Sequence, residues 1–230
     1  MQGSPDFLNI LFLIMERGLW LTLLLTVSAL LIGCVAGISL ALLRVYGPKE
    51  LQWIPTVYER IFRSIPLLVL LFIFGAALLS YFMWAGSTGS ALLVAAIFAL
   101  ALRSAAYQSE IFRGAIMSVD LGQMMAAQSV GMNNMQATLH IVLPQALRLS
   151  LPGWANEYAV VIKDSSLCSA IGIYELLYIT ESFELTFPAY FLPIILMVAI
   201  VYFVFTYPVT KYIGESMTSR LRRFGLGGGR

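Results

Sequence analysis

Charged side chains are scarce in this chain. Only 14 Lys and Arg and 12 Asp and Glu occur among 230 residues, 11% of the whole, where a soluble domain averages about 25%. A chain so poor in charge, and 60% hydrophobic, cannot cover itself with a polar surface in water. Cysteine is nearly absent. Cys34 and Cys168 are far apart, which offers no disulfide framework and leaves two small hydrophobes as the plain reading. There is one histidine, His140, so no His/Cys metal cluster is visible, and that residue reads as part of a loop or interface. The three lysines, Lys49, Lys163 and Lys211, follow Pro, Ile and Thr; none completes the Gly-Lys-Ser or Gly-Lys-Thr of a phosphate-binding loop. No nucleophile–base pair stands out. The expectation is therefore no catalytic residue, no cofactor site and no metal site in this chain, and the net charge of +2 makes no case for nucleic acid.

What the sequence does have is long apolar runs. Gly18 to Leu43 is 26 residues without a charge, Ser64 to Leu102 is 39, and Ala189 to Thr210 is 22. About 20 apolar residues cross a bilayer as a helix, because backbone groups in lipid must be satisfied internally. The 39-residue run is broken by Gly86-Ser87-Thr88-Gly89-Ser90 and reads as two spans with a tight turn. A fourth stretch, Leu147 to Leu167, carries Arg148, Asn156, Glu157, Lys163 and Asp164, and reads as a span lined by protein or water. The spacing thus predicts five spans, near 18–43, 66–85, 89–107, 147–166 and 189–211. Placing the amino terminus outside and the carboxyl terminus inside puts twelve of the fourteen Lys and Arg on the inner side, leaving only Arg17 and Lys163 outside. The loop after the fourth span is acidic, with Glu175, Glu181 and Glu184. Met1 to Arg17 lacks the basic start of a cleavable signal, and the run after Leu31-Ile32-Gly33-Cys34 continues apolar, against a lipoprotein processing site. One membrane domain over 1–220 and a glycine-rich flexible tail over 221–230 are expected.

The longest stretch unsuited to lipid runs from Arg103 to Arg148. Its middle, Leu121 to Leu139, has no formal charge but is rich in Gln and Asn. Leu121, Met124 and Met125, then Met132, Met135 and Leu139, recur at helical spacing. Gly131 between them suits a helix end with positive φ, and Pro144 suits the start of the next helix or a kink near it. The result is a helix, a glycine turn and a second short helix. Each has an apolar face, fit either for docking on another protein or for packing against the chain's own inner loops.

These residues resemble a known family. Importer permeases of the ATP-binding-cassette class carry Glu-Ala-Ala, three residues, Gly, nine residues, then Ile-x-Leu-Pro. Here Met125-Ala126-Ala127, Gly131 and Ile141-Val142-Leu143-Pro144 keep that spacing. Flanking segments resemble the polar amino acid branch, the histidine, glutamine and arginine permeases: Ala106-Tyr107-Gln108-Ser109-Glu110-Ile111-Phe112-Arg113-Gly114, Gly122-Gln123, Lys163-Asp164-Ser165-Ser166-Leu167 and Arg63-Ser64-Ile65-Pro66. The resemblance covers about residues 19 to 215. It implies an all-α membrane protein of the type I importer permease fold, in the inner membrane, with a cytoplasmic coupling helix. It also implies partners: a second permease subunit, alike or different, a cytoplasmic ATPase dimer that binds ATP and Mg, an external amino-acid-binding protein, and the surrounding lipid. Gly122, Met125, Ala126, Ala127, Gly131, Leu143 and Pro144 would form the ATPase-coupling region. Met125 departs from the family's Glu. That removes a possible ion pair to the ATPase or within the subunit, while the helix and the glycine turn remain.

Ionisable residues inside spans are costly and point to a pathway, at ~2.5–3.5 kcal/mol for insertion at a helix centre. Glu157, with Asn156 before it, falls about 15 Å along the fourth span, near midplane. Arg103, followed by Ser104, lies on the inner half of the third. Glu157 offers a partner for a substrate ammonium and Arg103 for a carboxylate. The alternative is an internal ion pair of Glu157 with Arg103 or Lys163 that only holds helices together. The resemblance associates the acidic residue of an Asn-Glu-aromatic stretch, here Asn156-Glu157-Tyr158, with the substrate site. A rival function is a secondary transporter or channel subunit without an ATPase, which has no need of the Gly131 to Pro144 spacing. An export or assembly subunit built on other motifs is a second rival.

Overall fold

The computed structural model of the chain describes residues 7–82, 88–186, 188–215 and 218, and among them every regular element is helical. Helix α1, Phe7–Ile14, passes through a π-helical turn, Met15–Leu19, into α2, Trp20–Tyr46. Then come α3, Trp53–Ser64; α4, Leu67–Phe82; and α5, Thr88–Met117. The inner stretch gives α6, Leu121–Ser129, and α7, Asn134–Ala137, followed by a second π-helical turn, Thr138–Val142. Helix α8, Leu143–Asp164, ends in a 3-10 turn, Ser165–Ile171; α9, Leu176–Thr186, and α10, Phe191–Val209, follow, and α10 runs on as a π-helical segment, Thr210–Glu215.

Helix α5 is the centre of the packing and touches α2, α3, α4 and α8. It approaches α2 closely because both helices present small residues there: Ala29 packs in one cluster with Ala96 and Ala99, Ala41 in another with Ala115, and Gly33 and Gly37 lie against Ala105. A Cβ on Gly37 would stand 2.9 Å from Gln108 Cβ, so a side chain there would push the helices apart. Between α3 and α4 the axis bends by 100°. The cause is local: Pro66 forces Ile65 into extended backbone, φ −85° and ψ 128°, which ends α3.

Among the described residues three helical stretches are long and apolar enough to cross a membrane: Met15–Tyr46, Gly89–Met117 and Pro188–Glu215; α3 with α4 would make a fourth if that bent pair is one span. The first, third and fifth expected spans fall on these stretches. Helix α5 continues to Met117 instead of stopping near 107, because Glu110 and Arg113 pair along one face of it. Helix α8 occupies the expected fourth span, but its charges keep it outside the apolar set. Three helices were not foreseen: α3, α9, and α1, Phe7–Ile14, which lies ahead of the first expected span. The Arg-rich α3 reads by composition as an inner loop, and α9 as an acidic outer one. The turn expected around Gly86 and Ser87 begins outside the described residues, as does the tail 221–230.

Helix α9 is tied down by Glu175, which is fully buried. Its carboxylate accepts the Tyr178 and Leu177 backbone N–H groups at 2.7 and 2.9 Å, capping α9, and the Tyr202 hydroxyl at 3.2 Å. The Leu176 N–H donates to Thr22 Oγ1 at 3.2 Å, and a Cβ on Gly18 would meet Leu176 Cα at 2.7 Å. Burial pushes the Glu175 carboxyl up to about 7, against the pull of those hydrogen bonds.

Candidate functional site

Halfway along α5 the structure builds a row of polar side chains inside the bundle. Trp154 Nε1 donates to Gln108 Oε1 at 3.0 Å, Gln108 Nε2 donates to Ser104 Oγ at 3.0 Å, and Ser104 Oγ donates to Glu157 Oε1 at 2.8 Å. Gln108 also reaches the Leu30 carbonyl at 3.2 Å, joining α2 to the row. Glu157 is 3% exposed, so its hydrogen bond to Ser104 substitutes for water. Neither expected ion pair of Glu157 forms. Arg103 pairs with Asp164 instead, Lys163 is exposed, and Asn156 is exposed one step round α8. The structure thus brings Ser104 and Glu157 together. It sets Arg103 beside Asp164, a guanidinium and a carboxylate side by side and both partly accessible. Tyr107 completes this edge: two guanidinium groups lie over its ring, Arg103 Cζ at 4.8 Å and Arg63 Cζ at 5.1 Å from the centroid.

One turn or two further toward the C-terminal end of α5, an ionic network crosses three helices. Arg44 on α2 bonds Glu59 on α3 and Glu110 on α5, the latter at 2.9 Å. Ser109 Oγ donates to Glu59 Oε1 at 2.6 Å, and Arg113 pairs with Glu110. Sequence reasoning missed this network. Glu110 and Arg113 three residues apart were a visible signal; nothing in the spacing connects Arg44 to Glu59.

The inner turn is built with more care than its apolar pattern suggests. Asp120 caps α6 by accepting from Gly122 N at 2.7 Å, and a Cβ on Gly122 would crowd the same oxygen at 2.7 Å. Gly131 has φ +89°, and the Met132 N–H closes back on the Ala127 carbonyl at 3.1 Å. Asn133 and Gln136 form a reciprocal capping box on α7, and Gln128 Nε2 bridges to Asn134 Oδ1 at 2.7 Å. Ala127 and Ala137 are buried against the body of the protein. Leu121 and Val130 are each 79% exposed and Met125 is exposed too, while Met135, also exposed, lines a cavity shared with Leu42, Tyr46 and Gly47 at the end of α2. Ala126 and Pro144 are exposed as well, Leu143 is half-buried, and Pro144 sits in the first turn of α8. His140 is exposed and bonds the Gln136 carbonyl through Nδ1. No group of three or more His, Cys, Asp or Glu among the described residues is arranged to hold a metal.

A capped, uncharged, partly apolar turn joins a helical core that carries a row of buried polar side chains. That arrangement agrees with the comparison with known proteins: residues 29–214 match the family described as binding-protein-dependent transport system inner membrane component. The chain belongs to this family. It is a multi-pass inner-membrane permease subunit. The permease is 34% identical over 201 residues to the probable glutamine ABC transporter permease protein GlnM of Bacillus subtilis, covering 84% of this chain and 87% of that one. It is 35% identical over 217 residues to the probable amino-acid permease protein YxeN of the same organism, covering 94% and 96%. Its fold matches the crystal structure of an amino acid ABC transporter with histidines at a TM-score of 0.75 and 30% identity, covering 94% of this chain and 99% of that one. The permease therefore has the type I importer fold.

Proposed function

We propose that the permease moves a polar or charged L-amino acid into the cytoplasm, driven by a separate ATPase. The observation that carries this reading is the capped α6–Gly131–α7 turn, whose exposed face has no charge from Leu121 to Leu139. Such a face suits a partner's groove better than cytosol. The amino-acid class is supported by the names of the relatives and by the mid-depth groups. Arg103 and Asp164 together present a cation and an anion to a zwitterion. Glu157, with Ser104 behind it, lies on the same stretch of pathway, and Asn156 at its exposed margin. The chain crosses the membrane five times, amino terminus outside, with the α3–α4 pair as one bent span and α8 as another. It pairs with a second permease subunit, alike or different, and with an external binding protein. It carries out no chemistry itself; ATP and Mg are bound by the ATPase.

The test is reconstitution. The permease, co-expressed with its ATPase and binding protein, should take up an L-amino acid into proteoliposomes only when ATP is present on the ATPase side. Uptake by the permease alone would favour the secondary-transporter reading.

A further inference from the structure

On the inner side of the Tyr107 ring lies a second cavity that the mid-depth site does not use. It measures about 410 Å³ and is lined chiefly by α3, from Thr56 to Ser64, with Arg44, Tyr107 and Glu110 closing it. Its carboxylates are taken: Glu59 is held by Arg44 and Ser109, and Glu110 by Arg44 and Arg113. Its other cations are not. Arg60 and Arg63 make no ion pair among the described residues, and Arg63 is held instead against the Tyr107 ring. The cavity is thus lined by three guanidinium groups, two hydroxyls from Thr56 and Ser64, and carboxylates already engaged.

Depth sharpens the point. Tyr58 donates to the Leu102 carbonyl, halfway along α5, and Glu59 receives Ser109, about 10 Å further inward. Helix α3 therefore crosses α5 between Leu102 and Ser109, at the inner end of the expected 89–107 span. Two guanidinium groups without an ion pair are costly there wherever lipid tails reach them. They are tolerated where a water-filled passage or an anion meets them.

We propose that this cavity is an inner anion station: it receives the carboxylate of the solute on its way from the Arg103–Asp164 level to the cytoplasm, with Arg63 and Arg60 as its receptors. The proposal rests on the amino-acid import reading above. The engaged carboxylates leave the ammonium end of the solute without a strong partner, so binding is weak and release is favoured. A phosphate of an inner-leaflet lipid offers the same anionic chemistry, and the test separates the two.

Ser64→Cys is made in a background with Cys34 and Cys168 replaced by Ala, in the complete complex with its ATPases in nanodiscs. Modification of this subunit by an anionic sulfonate thiosulfonate reagent and by its cationic trimethylammonium counterpart is followed by intact mass. Relative to free cysteine, the anionic reagent should react about tenfold faster, as a nearby cation excess predicts. Arg63→Gln should remove most of that preference. L-alanine should slow the reaction, and ethylamine, the same molecule without the carboxylate, should not. Protection should be the same in neutral phosphatidylcholine discs and in discs containing phosphatidylglycerol. If Ser64→Cys does not assemble, Thr56→Cys reads the same cavity, and Arg60→Gln replaces Arg63→Gln. Absence of an anionic preference, a preference indifferent to both arginines, or protection by phosphatidylglycerol alone would overturn the proposal. Normal amino-acid uptake beside any of those results would leave the import reading standing. Failed uptake beside a charge-selective, alanine-protected cavity would instead count against the import reading.

Discussion

Glu175 and Glu157 are both buried carboxylates, and their surroundings give them different work. Glu175 accepts two backbone N–H groups and a tyrosine hydroxyl, so its place is structural: it fixes α9 against α2 and α10. Its carboxyl is raised from an ordinary 4.5 to about 7. Between those values the folded protein keeps a proton that the unfolded chain has released. Raising the pH through that window therefore favours unfolding, and the effect levels off above about 7. The apparent melting temperature in detergent should fall from pH 4.5 to 7, and Glu175→Gln should flatten that fall. An unchanged slope would show that the fall comes from other groups. Glu157 has one side-chain partner, Ser104, and no ion pair. A glutamine keeps an acceptor for that hydroxyl, so Glu157→Gln should leave the melting temperature of the empty protein nearly unchanged while uptake fails. The loss should be steeper for a cationic substrate than for a neutral one. Normal uptake, or a large drop in melting temperature with normal substrate affinity, would end the substrate role of Glu157.

Elements divide into those composition announces and those that tertiary contacts create. The α6–Gly131–α7 turn belongs to both kinds, since its glycine and its apolar spacing are legible while its caps are not. Gly131→Asp places a side chain at φ +89°, with a backbone cost of roughly 1 kcal/mol or more, and a charge on a face without one. The variant should insert and assemble with its partner permease but lose ATPase association or transport, measured by co-purification and uptake. Wild-type uptake would refute docking through this turn. Helices α2, α5 and α10 are legible because lipid-length apolar runs admit no other structure. Helix α3 is not: Glu59, Arg60 and Arg63 read as a solvated loop until Ser109 and Arg44 supply partners for Glu59. The expectation of Glu157 as a mid-depth group came from counting residues along one helix. Its partner Ser104 and the alternative pairing of Arg103 with Asp164 depend on how α5 and α8 are rotated, which no single-helix pattern encodes.

At the scale of the whole molecule, the chain is a bundle around α5 with a clasp at Glu175 and a capped turn at Gly131. The proposed orientation, amino terminus outside, rests on the positive-inside bias. Ser182 on α9 should then face outward and Ser118, between α5 and α6, inward; both are exposed. In a background lacking Cys34 and Cys168, an impermeant thiol reagent should label Ser182→Cys in intact spheroplasts and leave Ser118→Cys unlabelled until the membrane is opened. The reverse pattern would invert the topology. The central claim is that this bundle does no chemistry and moves its solute only when a separate ATPase grips the inner turn. The most direct measurement is uptake of a radiolabelled L-amino acid into proteoliposomes holding the permease with and without the ATPase, binding protein present throughout. Uptake that needs both the ATPase and ATP is the predicted result; equal uptake without the ATPase would contradict it.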